Sequence, residues 1–298
     1  MDLSWDWLRP VMRVPYVPTL GPVHPDALSA ELISEVFGVA GTVRFLPHDP
    51  DHRWSAMKDE SVMLKDVEHG PERTVIPTIS TWGRGMVKVH YFGRAEAPVE
   101  ELRQLARTLA AREDIDRARV VWCETGQTAP RPSVTVSRMQ LKTFRPGQDA
   151  AVDGVEDLRR LPDQVRARFA VFAEQLAADG FAFLWRRFEA DALAGPILTI
   201  ASGDRVIGAI GPMETMKDPV GKLRLLPLHF GVLPQLRGRG HGRHLWRAAM
   251  NWGEINGADY QLLLTEPGGA ADSLCRSEGL DTLGYVHTAD ANATDTAT

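Results

Sequence analysis

The stretch LRGRGHGRHLW, residues 236–246, places glycines at every second position among arginines and histidines, and it then turns apolar. The three glycines can take backbone conformations that a side chain blocks, so successive N–H groups can point into one concavity. A helix that begins near Gly240 adds unpaired N–H groups and the positive end of its dipole. Positive charge surrounds this place on Arg237, Arg239 and Arg243. The stretch therefore predicts an anion site of diphosphate size directly after a strand.

Four other interpretations of this stretch stay open. A dinucleotide site needs G-x-G-x-x-G, but Arg243 stands where the third glycine would be. A P-loop needs Gly-Lys followed by Ser or Thr, and the stretch has no such sequence. A nucleic-acid patch would need more basic residues with interleaved aromatics, and the net charge of −5 weighs against it. The fourth interpretation is a glycine-rich turn with its arginines in solvent.

The stretch resembles motif A of the GNAT family of N-acetyltransferases, R/Q-x-x-G-x-G/A, in Arg237, Gly240 and Gly242. A strand, LHFGV, and Pro234 precede the motif at the spacing of the family, and a helix follows it. The later segment AADSLCRSEGLDTLGYV is similar to the closing segment of the family, A-x-x-L-Y-x-x-x-G-F. The resemblance covers residues 131–288.

This resemblance implies a GNAT acyl-CoA N-acyltransferase fold that takes acetyl-CoA as acyl donor. Strand 228–232 would splay from strand 260–265 and expose its backbone to the pantetheine arm, while the amides of 238–243 would hold the pyrophosphate. The acetyl group would pass directly from the thioester to the amine of a small molecule. The implied cofactor contacts are Phe230, Gly231, Val232, Arg237, Gly238, Arg239, Gly240, His241, Gly242 and Arg243.

Direct transfer needs a base that takes a proton from the attacking amine. His229, on the strand expected to splay, is the leading candidate because histidine accepts a proton near neutral pH. Glu214, at the end of the preceding predicted strand, and Glu266, at the end of the next, are alternatives. Each also has a structural interpretation, as a hydrogen-bonded core histidine or as a solvated carboxylate.

The departing thiolate needs a proton or a hydrogen-bond donor. The resemblance assigns this role to a tyrosine in the closing segment, where this chain has Cys275. A thiol, with an ordinary pKa of about 8.5, can donate a proton, or Cys275 is a small buried apolar residue. Tyr260 and Tyr285 are alternative acids. Gly268 stands where family members often carry asparagine, which removes one expected pantetheine contact.

A second cluster of polar residues, PHDPDH, carries His48, Asp49, Asp51 and His52. Two histidines four residues apart share a face only on a helix, and the prolines at 47 and 50 disfavour one here. We therefore expect a loop at this place and predict no metal site.

The C-terminal half must supply the elements that position these groups. The predicted elements are strand 133–144, helix 161–181 with a stop at Gly180, strands 196–202 and 205–216 joined by a Gly-Asp turn, strand 222–233, a helix after the glycine stretch, strand 259–266, a short helix and a last strand. Pro227 interrupts strand 222–233 and predicts a bulge. Strand, helix and strand across 223–265 predict parallel pairing, because a hairpin cannot span a whole helix. The fold class predicted is therefore α/β with a mixed sheet, and the inward stripe of its long helix is Leu245, Ala249, Trp252 and Ile255.

The N-terminal half reads as α+β. The predicted elements are an extended surface segment over 1–24, a helix from Pro25 capped by Asp26, strands 42–46, 74–81 and 85–93, helix 98–114 and strand 117–124. Alternation in strand 85–93 predicts one buried and one half-buried face. We hypothesise that this half is a degenerate second copy of the GNAT-like domain, which shapes the acceptor cleft and cannot bind coenzyme A. An unrelated accessory domain is the alternative, and a structure without a splayed strand pair in 1–130 would reject the hypothesis.

Length and composition bound these interpretations. The 298 residues predict an accessory domain at 1–130, a catalytic domain at 131–290 and a disordered tail at 291–298, with a linker at 125–132. Two cysteines, no apolar run of membrane-spanning length and no apolar leader predict a cytoplasmic protein. We expect a small-molecule amine as partner, no nucleic acid, no membrane, and a monomer or homodimer. The alternative function is a non-catalytic acyl-CoA-binding sensor or partner module.

Overall fold

The computed structural model describes residues 5–40, 59–81, 83–127, 129 and 131–292. The predicted strand 42–46, the PHDPDH cluster and most of the predicted tail lie outside the described residues. The chain forms two compact units, which we call unit 1 (Met1–Leu141 with Leu263–Thr298) and unit 2 (Lys142–Leu262). The predicted domain boundary at 130/131 stays a prediction.

The elements follow each other along the chain in this order. The first are α1 (Trp5–Leu8), β1 (Tyr16–Val17), β2 (Gly21–Pro22), α2 (Ala30–Gly38), β3 (Ser61–Val62), β4 (Glu68–His69), β5 (Arg73–Ser80), β6 (Met86–Gly93), α3 (Val99–Arg112), β7 (Ala118–Glu124) and β8 (Val134–Thr143). The next are β9 (Glu156–Asp157), α4 (Asp163–Ala167), α5 (Phe169–Gln175), α6 (Phe181–Glu189), β10 (Leu198–Ser202), β11 (Arg205–Gly211), β12 (Thr215–Lys217), β13 (Leu223–Leu225), β14 (His229–Val232), α7 (His241–Ile255), β15 (Tyr260–Thr265), α8 (Ala270–Ser277) and β16 (Asp281–Asp290). None of the helices in the described part of the chain is long and apolar enough to cross a membrane.

The sheet of unit 1 is covered on both faces. β5 and β6 are antiparallel, β6 and β7 parallel, and β16 pairs antiparallel with both β7 and β8. Val87 and Val89 pack with Leu102 of α3 on one face, as alternation predicts. The other face was predicted half-buried, but His90 on it is only 2% exposed. The reason is that the N-terminal segment packs its apolar residues, such as Leu8, over that face.

The N-terminal segment therefore differs from its prediction as an extended segment on the surface. Val14 and Val17 are buried, and the segment contributes to the same core as α2. The helix predicted from Pro25 begins later, at Ala30, because the Ser29 hydroxyl accepts a hydrogen bond from the Leu32 N–H at 3.2 Å and caps it. The Asp26 cap was wrong, and a short 3₁₀ turn occupies Pro25–Ala27.

Strands β6 and β7, joined by α3, make a parallel strand–helix–strand step in the N-terminal half. Their pairing runs from Val87↔Ala118 to Tyr91↔Trp122 and stops before either strand ends. The described residues thus include a strand pair that separates at its carboxyl end. The hypothesis of a degenerate second copy is not rejected on this ground and stays a prediction.

Unit 2 contains antiparallel strands followed by one parallel step, and the predicted mixed α/β class is confirmed. One sheet has the order β14-β11-β10-β9, with antiparallel pairs throughout. β13 pairs antiparallel with β12 and parallel with β15, at Arg224↔Tyr260 and Leu225↔Gln261. α7 connects β14 to β15, as the predicted crossover requires.

Two helical predictions for unit 2 need correction. The single helix predicted over 161–181 is α4 and α5, and Gly180, with φ of +85°, is a turn from which α6 continues to Glu189. In α7, Leu245 and Ala249 are fully buried as predicted, but Ile255 is 73% exposed. The buried face of α7 consists of Leu245, Trp246, Ala249, Met250 and Gly253. At 3.6 residues per turn, Ile255 lies on the opposite side of the helix from the centre of that face.

Candidate functional site

Consecutive strands β13 and β14 change partner at Pro227. β13 runs parallel to β15, whereas β14 pairs with β11 through four residue pairs from Gly208↔Val232 to Gly211↔His229. Proline has no N–H to donate to a ladder, which is compatible with a break at this position. β14 is an edge strand of its sheet, so among the described residues its other edge has no strand partner. Backbone N–H and C=O groups on that edge have no ladder partner, and the Val232 oxygen accepts a hydrogen bond from the Arg237 side chain instead.

The glycine stretch forms the loop between β14 and α7. Gly238 and Gly240 have φ of +76° and +87°, a region that side chains disfavour, and a Cβ on either would have nothing within 4 Å. Gly240 is the N-cap of α7 and no side chain caps it; the first helical hydrogen bond runs from the His244 N–H to the Gly240 oxygen at 3.0 Å. The amides of His241 and Gly242 therefore have no acceptor within the helix.

This loop lies on the surface. Gly238, Arg239, Gly240 and Arg243 are exposed, and His241 and Gly242 are half-buried. A Cβ at Gly242 would lie 3.5 Å from the Phe230 ring, so the half-buried ring of Phe230 adjoins the first turn of α7. The loop, the end of β14 and the helix N-terminus form one accessible region with several backbone donors.

Arg237 has a second role besides adding charge. Its Nε donates to the Val232 oxygen at 3.0 Å, and its guanidinium lies 3.8 Å from an oxygen of Asp179. The side chain is 57% exposed. Arg237 thus holds the last residue of β14, and its direct contact with a cofactor stays a prediction.

His229 is fixed on the opposite face of β14 from Phe230. Its Nδ1 lies 3.2 Å from the backbone oxygen of Asp179. A carbonyl oxygen only accepts, so Nδ1 carries the hydrogen and Nε2 keeps a lone pair. The rings of Phe181 and Phe183 each lie 6.2 Å from the imidazole. The half-buried histidine therefore presents Nε2 as its proton acceptor.

Helix α6, which the sequence prediction missed, shapes this face of β14. A Cβ at Gly231 would lie 2.8 Å from the buried Phe181 ring and 2.9 Å from Leu176, so only glycine fits there. Phe181, Leu184 and Phe188 recur at helical spacing after Gly180. This apolar spacing indicates a second helix, which the sequence analysis missed because it took Gly180 as the end of the helical region.

The alternative bases, Glu214 and Glu266, have different local surroundings from His229. Glu214 does not end a strand as predicted: β11 ends at Gly211, and Glu214 stands before β12. Its Oε1 accepts the Ala194 N–H at 3.1 Å, so the carboxylate holds a neighbouring loop. Glu266 is exposed and belongs to unit 1.

The three candidate acids are all buried. Cys275 lies on α8 of unit 1 and is 2% exposed; burial, followed by the charge of Asp272, raises the pKa of its thiol to about 11. Tyr260 donates its hydroxyl to Asp218 at 2.9 Å, and burial raises its pKa. Tyr285 on β16 has Arg138 over its ring at 5.1 Å. The burial and the contacts of all three residues therefore agree with a structural role better than with a role as proton donor.

Gly268, the departure from the family pattern, has φ of +81°. Its N–H donates to Asp272 at 2.9 Å. Asp272 is fully buried, pairs with Arg138 at 2.8 Å and accepts from Thr265 at 3.2 Å. This segment of unit 1 is organised around the Asp272 carboxylate.

No protein-family model matches the chain, and no curated protein matches its sequence. Among solved structures, the chain is similar to a GCN5-related N-acetyltransferase from Sphaerobacter thermophilus, with 14% identity, a TM-score of 0.46 and coverage of 77% of this chain and 84% of that one. It is also similar to a tandem GNAT protein from the clavulanic acid biosynthesis pathway, with 13% identity, a TM-score of 0.44 and coverage of 75% and 80%. A GCN5-related N-acetyltransferase from Kribbella flavida matches at 15% identity and a TM-score of 0.41, over 77% and 91%. These three structures are GNAT or GCN5-related N-acetyltransferase proteins, and one of them is a tandem GNAT protein.

Proposed function

We propose that the protein is an acetyl-CoA-dependent N-acetyltransferase that acts on the amine of a small molecule. The observation that carries the proposal is the exposed loop of residues 237–243, which joins the open edge of β14 to the uncapped N-terminus of α7. The combination offers backbone donors, a helix dipole and arginine charge at one place. Those are the groups that a diphosphate with an extended amide-bearing arm requires.

In this proposal two sets of backbone groups bind acetyl-CoA, one for the pyrophosphate and one for the pantetheine arm. The amides of His241 and Gly242, with the charge of Arg239 and Arg243, bind the pyrophosphate. The unpaired edge of β14, from Phe230 to Val232, hydrogen-bonds the amides of the pantetheine arm in the manner of an added strand.

His229 serves as the base. Its Nε2 takes a proton from the acceptor ammonium or from a water beside it, because Nδ1 is committed to Asp179. The amine nitrogen then bonds to the thioester carbonyl carbon and the carbon–sulfur bond breaks. The nitrogen loses a second proton as it becomes the amide, and the departing thiolate of coenzyme A takes up one proton in exchange through water. The amide product and free coenzyme A balance the reaction.

The acceptor class follows from the charge of the chain. The net charge of −5 favours a cationic amine, such as an aminoglycoside, an amino sugar, an amino acid or a natural-product intermediate. Cytoplasmic location and a monomeric or homodimeric state stay predictions.

One observation favours the alternative of a non-catalytic acyl-CoA sensor. The residue at the expected tyrosine position, Cys275, is buried, and its raised pKa of about 11 makes it a poor proton donor. In the enzyme, water must then protonate the thiolate; in a sensor, no donor is needed.

Calorimetry with acetyl-CoA and a thiol-release assay across a panel of amines test both functions. The enzyme requires acetyl-CoA binding and amine-dependent thiol release. Binding without release for any amine supports the sensor, and absent binding by folded protein rejects both. Gly242→Trp provides the matched variant, because it crowds Phe230 and the helix N-terminus while the backbone at 242 needs no positive φ. We expect it to lose acetyl-CoA binding and keep its fold by circular dichroism.

A further inference from the structure

Unit 1 contains a separate opening between strand ends. The pairing of β6 with β7 stops at Tyr91↔Trp122, although β6 continues to Gly93 and β7 to Glu124. Beyond that pair β6 stays with β5 and β7 stays with β16. A gap therefore opens between the carboxyl ends of two adjacent parallel strands, which is where α/β sheets bind ligands.

A cavity of about 440 Å³ fills this gap. It is bounded by the ends of β6 and β7, by the loops that follow them and by the N-terminal segment. Its volume lies in the range of small-molecule sites, about 300–1,000 Å³.

Apolar side chains line part of the cavity. They are Val11, Val14, Phe92 and Trp122, and all four are buried. Val11 and Phe92 belong to the core beneath the N-terminal segment, whereas Trp122 belongs to the core beneath α3. Gly284 of β16 lets the N-terminal segment approach, since a Cβ there would be 2.5 Å from Val14. The Trp122 indole donates a hydrogen bond to Glu124, which also lines the cavity, at 3.1 Å. The apolar side chains suit the apolar body of a ligand.

Arginine side chains also line the cavity. Arg131 is paired with Glu96, whereas Arg13 and Arg94 are exposed and have no carboxylate partner within the described part of the chain. A guanidinium group of this kind can bind a carboxylate through charge-assisted hydrogen bonds.

The loop chemistry here differs from that of the loop before α7. Residues 94–98, RAEAP, contain no glycine and no positive φ, so their amides cannot form a nest for a diphosphate. The first turn of α3 carries Glu100 and Glu101, which disfavour a highly charged anion. We propose that the unit 1 cavity binds a small organic acid with one carboxylate and an apolar body, independently of any coenzyme A site.

The test uses phenylacetate, indole-3-acetate and octanoate, each beside its uncharged amide. Binding to the full chain is measured by saturation-transfer NMR and by the indole N–H signal of Trp122, which Trp122→Phe assigns. We expect at least one acid to bind with a Kd below about 1 mM, to shift that signal, and to bind at least about tenfold more tightly than its amide. Saturating coenzyme A should not displace it.

The double variant Arg13→Ala/Arg94→Ala should raise the Kd of the acid at least about tenfold and leave the Kd of the amide unchanged. Arg117→Ala is the matched control, since Arg117 is an exposed arginine of the same unit that does not line the cavity. The proposal is overturned if no acid binds, if acid and amide bind equally, if the double variant behaves like Arg117→Ala, or if coenzyme A competes. Acetyl-CoA binding is measured on the same variants; its absence would reject the proposed enzyme and leave this site standing.

Discussion

The imidazole Nδ1 of His229 lies 3.2 Å from the backbone oxygen of Asp179, and this contact decides which ring nitrogen can accept a proton. Asp179 precedes Gly180, whose positive φ bends the chain into α6. The orientation of the candidate base thus depends on a turn fifty residues away in the sequence.

His229→Gln should separate catalysis from binding. Loss of a general base lowers kcat by about 10²- to 10⁴-fold, whereas the backbone of β14 still offers the same groups to acetyl-CoA. Steady-state kinetics and calorimetry check this. An unchanged kcat would remove His229 from the mechanism.

Gly180→Ala should displace the imidazole. A Cβ at 180 would lie 2.4 Å from His229 Nδ1, and φ of +85° adds strain of about 1–2 kcal/mol. Gly154→Ala is the matched control, with φ of +73° and nothing within 4 Å. Both variants should lose stability in urea unfolding, but only Gly180→Ala should lower kcat. Equal kcat values would contradict the positioning role of the turn.

Gly240→Ala should weaken acetyl-CoA binding about tenfold, because the residue at 240 must leave its left-handed conformation or hold it under strain. Its φ is +87°, and no steric clash accompanies the added methyl. Gly203→Ala, with φ of +60° in the hairpin between β10 and β11, carries comparable strain away from the loop. If both variants bind acetyl-CoA like the native chain by calorimetry, the amide cradle is wrong.

The ionised Glu60 carboxylate should increase the free energy of unfolding at pH values above about 4.5. Burial alone would raise its pKa, but hydrogen bonds and charges from His90 and Lys88 outweigh burial and lower it from 4.5 to about 2. A carboxyl whose pKa is lower in the folded chain stabilises it above pH 4.5, and this contribution disappears as pH falls toward 2. Glu60→Gln should cost about 3 kcal/mol at pH 7 and much less near pH 2.

Urea unfolding across this pH range checks the Glu60 prediction. The exposed Glu72→Gln serves as control and should change the unfolding free energy by less than about 0.5 kcal/mol. A cost for Glu60→Gln that stays constant with pH would contradict the ionic role of the buried carboxylate.

Cys275 should contribute to instability at alkaline pH. Its thiol pKa rises from 9.0 to about 11 on folding, so between these values the unfolded chain has lost a proton that the folded chain keeps. The unfolding free energy should therefore fall by about 2–3 kcal/mol from this group as pH rises from 9 to 11. Cys275→Ala should show a shallower fall over that range in denaturant titrations. Parallel curves for both proteins would show that the thiol does not titrate on unfolding.

Local chemistry made part of the structure predictable. An interruption at Pro227 was predictable because proline cannot donate to a ladder, but the sequence predicted a bulge, and the structure instead ends β13 and begins β14 with a different partner. Gly238 and Gly240 marked the positive φ of the loop in the same way. The parallel step followed from the length of the helix between its strands.

What could not be predicted depends on distant partners. The contact of His229 with Asp179, the burial of Val14 under β16 and the commitment of Tyr260 to Asp218 join residues far apart in the sequence. Gly180 was correctly seen as an interruption, but whether a glycine ends a helix or bends it into another depends on what α6 packs against.

The position of β16 has a consequence for the order of synthesis. This strand lies between β7 and β8 in unit 1, yet it is translated after the whole of unit 2. A nascent chain on the ribosome can complete unit 2 while β7 and β8 still lack the strand that joins them. Premature termination after residue 143 and before residue 281 would therefore leave two bare strand edges in the N-terminal half, a state prone to aggregation and to capture by chaperones.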